Sequence, residues 1–234
     1  MNETKINLLL FDFDGTLVNT TSLILRAFRA TWERVFGFVY DDSQYIKTFG
    51  LLLPKAMRAL TEQTIAEGRV SRPDDLAAYL GDMEEELTLV YRAFNQQWHD
   101  EMIEPFDGVE ETLVELKSRE FRLGVVSSKM RAGLFRGLNY YRMTGLFDVI
   151  IAGDDCENHK PHPEPLLRAI AMAGAAARET AYIGDSAHDI VAGRAARVRT
   201  AAAAWGPFPR TELESLQPDY LLDDPKDLLK IFSR

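Results

Sequence analysis

Apolar and polar positions divide the chain into three parts: a short apolar run, a long helical stretch, and then short apolar runs alternating with helical segments. Ile6-Asn7-Leu8-Leu9-Leu10-Phe11 ends in Asp12-Phe13-Asp14-Gly15, which predicts a strand buried on both faces that emerges at a sharp turn. After Asn19-Thr20-Thr21-Ser22, a group of helix N-cap residues, Leu23, Ala27, Phe28, Ala30, Trp32 and Val35 recur at helical spacing until Gly37. Pro54 suits the first turn of a second helix, with Ala56 to Ala66 as its body. Ser71-Arg72-Pro73-Asp74 opens a third, rich in Glu, Leu, Ala and Met, running to about Asp100 with Gly81 as a weak point. No period-two alternation occurs from 20 to 104, so that region is expected to be all helical.

Beyond Pro105 the pattern changes. Helices are expected at 107–119, 131–141, 163–173, 187–196 and 225–232. Between them lie the short runs 121–126, 147–152, 180–183, 198–203 and 220–222, which read as strands. Strands alternating with helices mean a parallel sheet covered on both faces. The expected fold is therefore α/β and Rossmann-like, with residues 1–17 and 105–234 as the core domain and 18–104 as an inserted helical domain.

Composition narrows the function. The 234 residues are 46% hydrophobic, enough for one sizeable core with an insertion, and the formal charge of −9 argues against a nucleic-acid binder. An anionic substrate stays compatible with that charge, because a bound divalent cation inverts the local potential. Cys156 is the single cysteine, so no internal disulfide is expected and a reducing cytoplasm is the natural compartment. Met1-Asn2-Glu3-Thr4-Lys5 lacks a basic signal-peptide start, and no stretch has the length of a membrane span.

In open parallel sheets ligands gather beyond the carboxyl ends of the strands. There the predicted strands deliver Asp12 and Asp14, then Ser127 and Ser128, then Asp154 and Asp155 with Lys160 a little later, then Asp185 and Asp189. Carboxylates, hydroxyls and one ammonium at a single edge suit a hard divalent cation together with a phosphoryl group. Asp154 and Asp155 are expected to support their loop, Glu84-Glu85-Glu86 to form a solvated face, and His99 to be an exposed helix residue.

Asp12-Phe13-Asp14-Gly15-Thr16-Leu17 resembles the first motif of the haloacid dehalogenase superfamily. Ser127 closing Gly124-Val125-Val126 resembles the second, Lys160 before Pro161 the third, and Gly184-Asp185-Ser186-Ala187-His188-Asp189 the fourth. The ordered quartet covers essentially the whole chain, and the insertion resembles the helical cap of the phosphoglycolate phosphatase-like branch. Tyr91-Arg92-Ala93-Phe94-Asn95 with His99-Asp100, and Asn158-His159-Lys160-Pro161, resemble segments of the family's inorganic pyrophosphatases. Tyr91, Asn95 and His99 are four apart and would form one polar helix stripe, facing either the site or water.

The resemblance implies Asp12 as nucleophile, forming an aspartyl-phosphate, and Asp14 as general acid and base. It implies Mg²⁺ held by Asp12, Asp185 and the Asp14 carbonyl, with Asp189 at or beside the ion. Lys160 would neutralise charge, and Ser127 would bind a phosphoryl oxygen. Ser128, Gly15, Thr16 and, from the cap loop, Gly50 are further expected phosphate or substrate contacts. The expected partner is a small phosphorylated metabolite or pyrophosphate, with no nucleic acid or membrane, and the chain acting as monomer or homodimer. Pyrophosphate is favoured over 2-phosphoglycolate. A phosphomutase and a non-catalytic phospholigand-binding protein are the competing expectations.

Overall fold

Leu8–Phe11 forms β1, the strand around which the sheet is assembled. The computed structural model describes residues 5–233. They form two compact units, one running through Thr20 and resuming at Ile103, the other Thr21–Met102. In chain order β1 is followed by β2 (Val18–Asn19), α1 (Thr21–Phe36), α2 (Asp42–Ile46), α3 (Leu53–Ala66), α4 (Leu76–Met102) and β3 (Glu104–Pro105). Then come α5 (Val109–Ser118), β4 (Arg122–Val126), α6 (Arg131–Tyr140), β5 (Val149–Ile151), α7 (Glu164–Met172), β6 (Thr180–Gly184) and α8 (Ala187–Ala195). The chain finishes with β7 (Arg199–Ala203), α9 (Arg210–Ser215), β8 (Tyr220–Leu222) and α10 (Asp227–Ile231).

The six-stranded sheet has the order β5-β4-β1-β6-β7-β8, and every pairing is parallel. Leu8 pairs with Arg122 on one side and Thr180 on the other, which puts β1 at the centre. On one face Leu8, Leu10, Val126, Val149, Ile151 and Tyr182 pack with Leu166, Ala169 and Ile170 of α7 and Ala192 of α8. The alternate positions Leu9, Phe11, Leu123 and Val125 are equally buried, so both faces are covered as the continuous apolar run predicts. The alanine-rich β7 has weak strand propensity, but α8 lies so close that a Cβ on Gly193 would stand 2.7 Å from Thr200 Cγ2. Small strand residues permit that approach.

The chain leaves β1 toward β4 and β5, then returns to the other side of β1 as β6. That reversal puts a crevice at the carboxyl ends of β1, β4 and β6, where such folds bind ligands. A second, two-stranded antiparallel ribbon pairs Val18 with Pro105 and Asn19 with Glu104. The expectation of an all-helical region from 20 to 104 misses this ribbon's second strand at its edge, because two-residue strands carry no readable period. It also misses α2, capped by the Asp41 side chain accepting from Ser43 N at 3.0 Å. The short α9 went unpredicted too.

The helical unit is built on aromatics. Phe28 stacks on Tyr45 with ring centroids 5.2 Å apart and tilts against Tyr91 at 4.9 Å, with Trp32 packed on Tyr45 at 5.9 Å. Tyr91 therefore belongs to this core, with Asn95 Nδ2 3.4 Å from its hydroxyl. His99 is buried rather than exposed, with Nδ1 2.8 Å from Asp100 Oδ1. The stripe expected along α4 is thus largely an interior one. Glu85 and Glu86 face solvent as expected.

Gly81 lies inside α4 with open space where a Cβ would stand. Gly81→Ala should raise stability by about 0.5–1 kcal/mol, read as a higher urea midpoint at unchanged slope. A lower midpoint would mean that α4 is not continuous through this position.

Candidate active site

Asp12 follows the last residue of β1, and its backbone N–H still bonds the Ile183 carbonyl of β6 at 2.9 Å. The sheet thus holds the carboxylate at the crevice. The following loop closes on itself, with Gly15 N bonding Val18 O at 2.9 Å and Val18 N bonding Phe13 O at 3.0 Å. Gly15 has φ +80°, and a Cβ there would lie 2.4 Å from an Asp185 carboxylate oxygen. Glycine is required here twice, by backbone conformation and by that approach. Thr16 Oγ1 donates to Asp185 Oδ1 at 3.0 Å, joining the end of β1 to the end of β6.

Lys160 reaches into this cluster from the loop after β5, through a cis bond to Pro161, and is almost fully buried. An ammonium has three donors, and three acceptors surround this one. Nζ is 3.0 Å from Asp12 Oδ1, 2.7 Å from Asp189 Oδ1 and 3.0 Å from the Tyr182 hydroxyl. The Tyr182 oxygen is in turn 2.9 Å from Asp189 Oδ1 and 3.0 Å from the Val126 carbonyl. Asp189 Oδ2 accepts from Ser186 N at 3.0 Å and from Ser186 Oγ at 2.5 Å, as part of the capping box that starts α8.

Asp12, Asp185 and Asp189 bring carboxylate oxygens within 4.8 Å of one another, all buried. Their hydrogen bonds separate them. Both oxygens of Asp189 are committed to protein donors. Asp12 spends one oxygen on Phe13 N at 2.8 Å and on Lys160, and Asp185 spends one on Thr16. Asp12 and Asp185 each keep an oxygen that meets no donor among the described residues. Asp189, expected at or beside the ion, lies in this group of three and is also bonded to Lys160.

Three buried carboxylates against one ammonium leave two negative charges uncompensated. Burial pushes Asp12 up from 3.8 to about 7, with Lys160 opposing and the charges of Asp189 and Asp14 adding to the rise. Burial and the same neighbouring carboxylates push Asp185 well above its ordinary value. For Asp189 burial acts upward but is outweighed by Lys160, Ser186 and Tyr182, so it lies below the usual carboxylate range. The Lys160 ammonium is held above its ordinary value, because Asp12 and Asp189 outweigh its own burial. A divalent cation between the free oxygens of Asp12 and Asp185 matches the missing charge and the all-oxygen donors that Mg²⁺ takes.

Ser127 follows β4, is buried, and accepts from Lys129 N at 3.2 Å, which leaves its hydroxyl proton for an incoming acceptor. Ser128 is half-buried beside it. Gly15 and Thr16, expected as phosphate contacts, are bonded within the protein here. The Gly15 N–H is bonded to Val18 O, and the Thr16 hydroxyl to Asp185. Gly50 belongs to the helical unit, between α2 and α3, with φ +85°. Asp154 and Asp155 support their loop: Asp154 accepts from Arg131 N at 2.8 Å and Asp155 from Ala152 N at 2.8 Å.

Two residues at the site escaped the sequence reading. Lys129 pairs with Asp14, Nζ lying 2.9 and 3.3 Å from its two oxygens. Its signal was a cation directly after Ser127-Ser128. Tyr182 read as an ordinary strand residue, and only the fold aims its hydroxyl at Lys160.

The sequence pattern of the haloacid dehalogenase-like hydrolases matches residues 9–203. The chain belongs to that family. This hydrolase is 36% identical over 230 residues to a protein of Bacillus mycoides named pyrophosphatase PpaX, covering 98% of each chain. It is 37% identical over 229 residues to a protein of the same name from Bacillus cereus, covering 98% of this chain and 97% of the relative. Among solved structures, a chain from Lactobacillus plantarum provisionally described as a phosphoglycolate phosphatase superposes with a TM-score of 0.79 at 28% identity, over 97% of this chain and all of that one. A haloacid dehalogenase-like hydrolase from Streptococcus pneumoniae shares the fold, with TM-score 0.78 at 23% identity over 97% of this chain and 99% of that one. No helix among the described residues is long and apolar enough to cross a membrane.

The raised Asp12 and Asp185 give the metal-free hydrolase a definite pH response. Both folded values lie above the 3.8 of an ordinary carboxyl, so the contribution to stability is present below about pH 4 and is lost as pH rises through the folded values, about 7 for Asp12. A cation on these oxygens removes that loss. The rise in Tm on adding Mg²⁺ should therefore be larger at pH 8 than at pH 6, measured by thermal melts with and without the ion. An equal rise at both would place cation binding elsewhere.

Proposed function

We propose that this hydrolase is a Mg²⁺-dependent phosphohydrolase that cleaves a small phosphorylated anion, with inorganic pyrophosphate as first choice. The observation that carries the reading is Asp12: one oxygen is pinned by Phe13 N and Lys160, and the other meets no donor among the described residues. A carboxylate held in this way presents a fixed lone pair to phosphorus. Its attack forms a bond from Asp12 to phosphorus and breaks the bond from phosphorus to the leaving oxygen, giving an aspartyl-phosphate. Asp14 donates its proton to that oxygen and then takes one from the water that releases phosphate. Ser127 uses its remaining hydroxyl proton on a phosphoryl oxygen. Lys160 offsets the charge of Asp12, and Asp189 and Tyr182 keep Lys160 in place.

When bound, Mg²⁺ supplies positive charge to the phosphoryl oxygens from a position held by Asp12, Asp185 and the Asp14 carbonyl. The inserted helical unit, residues 18–104 with its two connections, corresponds in this reading to the cap that selects the substrate. Relatives named pyrophosphatase that match over almost the full length support pyrophosphate. The Lactobacillus plantarum neighbour favours 2-phosphoglycolate as the second reading.

Purified protein with Mg²⁺ should release phosphate from pyrophosphate with a higher kcat/KM than from 2-phosphoglycolate, and chelation should stop both. Turnover of neither compound would refute the reading. Asp12→Asn should fold to the same secondary structure and lose turnover to background. Lys160→Met should lower kcat by about 10²–10³, the usual cost of removing one fixed charge-stabilising group. Near-normal turnover in Asp12→Asn would exclude Asp12 as the nucleophile.

A further inference from the structure

Lys129 is the second ammonium at this site, and the proposed chemistry above gives it no task. Its position is built rather than incidental. Its backbone N–H bonds Ser127 Oγ, and its carbonyl accepts from Gly153 N at 2.8 Å. Its aliphatic stem lies along α6, so close that a Cβ on Gly133 would touch Cε at 3.4 Å. Nζ stands 5.7 Å from the centre of the Phe13 ring, and the side chain is only 14% exposed. Lys160 has spent all three donors on Asp12, Asp189 and Tyr182. Among the described residues Lys129 Nζ bonds only the Asp14 carboxylate, so it keeps donor capacity on the side where Asp14 meets substrate.

We infer that Lys129 binds a negative charge carried by the leaving group, and so selects substrates whose leaving group is itself an anion. This rests on the phosphohydrolase reading and on Asp14 as its proton donor. An oxygen taking the Asp14 proton at a hydrogen-bond length of about 2.7 Å lies within about 6 Å of Nζ. That is close enough for charged oxygens one or two bonds further along the leaving group to reach the ammonium directly. The departing phosphate of pyrophosphate and the carboxylate of 2-phosphoglycolate both carry such a charge. A neutral alcohol or phenol does not. Asp12, Asp185, Asp189 and Lys160 with a divalent cation sum to zero before the substrate's own charge is counted, so an anionic leaving group adds to a negative excess that Lys129 is placed to offset.

The test compares wild type, Lys129→Met and Lys129→Arg, each with Mg²⁺, on pyrophosphate, 2-phosphoglycolate and p-nitrophenyl phosphate. Lys129→Met should raise KM for the two anionic-leaving-group substrates about ten- to hundredfold more than for p-nitrophenyl phosphate, as loss of one charge-assisted contact requires. Lys129→Arg, which keeps the charge, should recover most of that preference. Equal losses on all three substrates, mainly in kcat, would mean that Lys129 acts only through Asp14 and would overturn the inference while leaving the phosphohydrolase reading intact. Unchanged kinetics in Lys129→Met would overturn it as well. A wild type inactive on all three would remove both together. Should Lys129→Met fail to fold, Lys129→Gln with a wild-type melting profile takes its place.

Discussion

Lys160 sits where three buried carboxylates converge, and the balance of charge around it governs the rest of the site. Burying unpaired charge is costly, and one ammonium cannot satisfy three anions. The protein resolves this unequally. Asp189 receives the shorter contact from Lys160 and the donors of Ser186 and Tyr182, and so stays ionised. Asp12 and Asp185 are left short of positive charge, each with a free oxygen. That deficit distinguishes the site from a closed salt-bridge network, and in the proposed function a cation and a phosphoryl group answer it.

Chain topology makes the convergence possible. The clustered groups come from the ends of β1, β4 and β6, from the loop after β5 and from the first turn of α8, spread over more than 170 positions of sequence. Parallel pairing with β1 at the centre aligns all those ends at one edge. Close contacts then lock it, with Gly15 against Asp185 and Thr16 bonded across to the same carboxylate. The capping box of α8 does two jobs, since Asp189 starts a helix and restrains the lysine.

The helical unit is stabilised by different physics. Its interior is a stack of Phe28, Trp32, Tyr45 and Tyr91, whose contacts do not depend on the charges of the sheet edge.

The sequence by itself determined the alternation of strands and helices, the family, and the presence of Asp12, Asp14, Ser127 and Asp185 at strand ends, with Lys160 and Asp189 further along the segments that follow. These were legible because apolar runs and their polar terminators are local signals. Two-residue β2 and β3 and the short α2 were not, since they are too brief to establish a period. Hydrogen-bond allegiance was equally hidden. Only the folded chain decided that Thr16 serves Asp185, that Asp189 serves Lys160, that Tyr182 completes the lysine's donor set and that Lys129 stands at Asp14. A side chain's type is written in sequence, but its partner is set by which strand ends lie within about 3 Å of it.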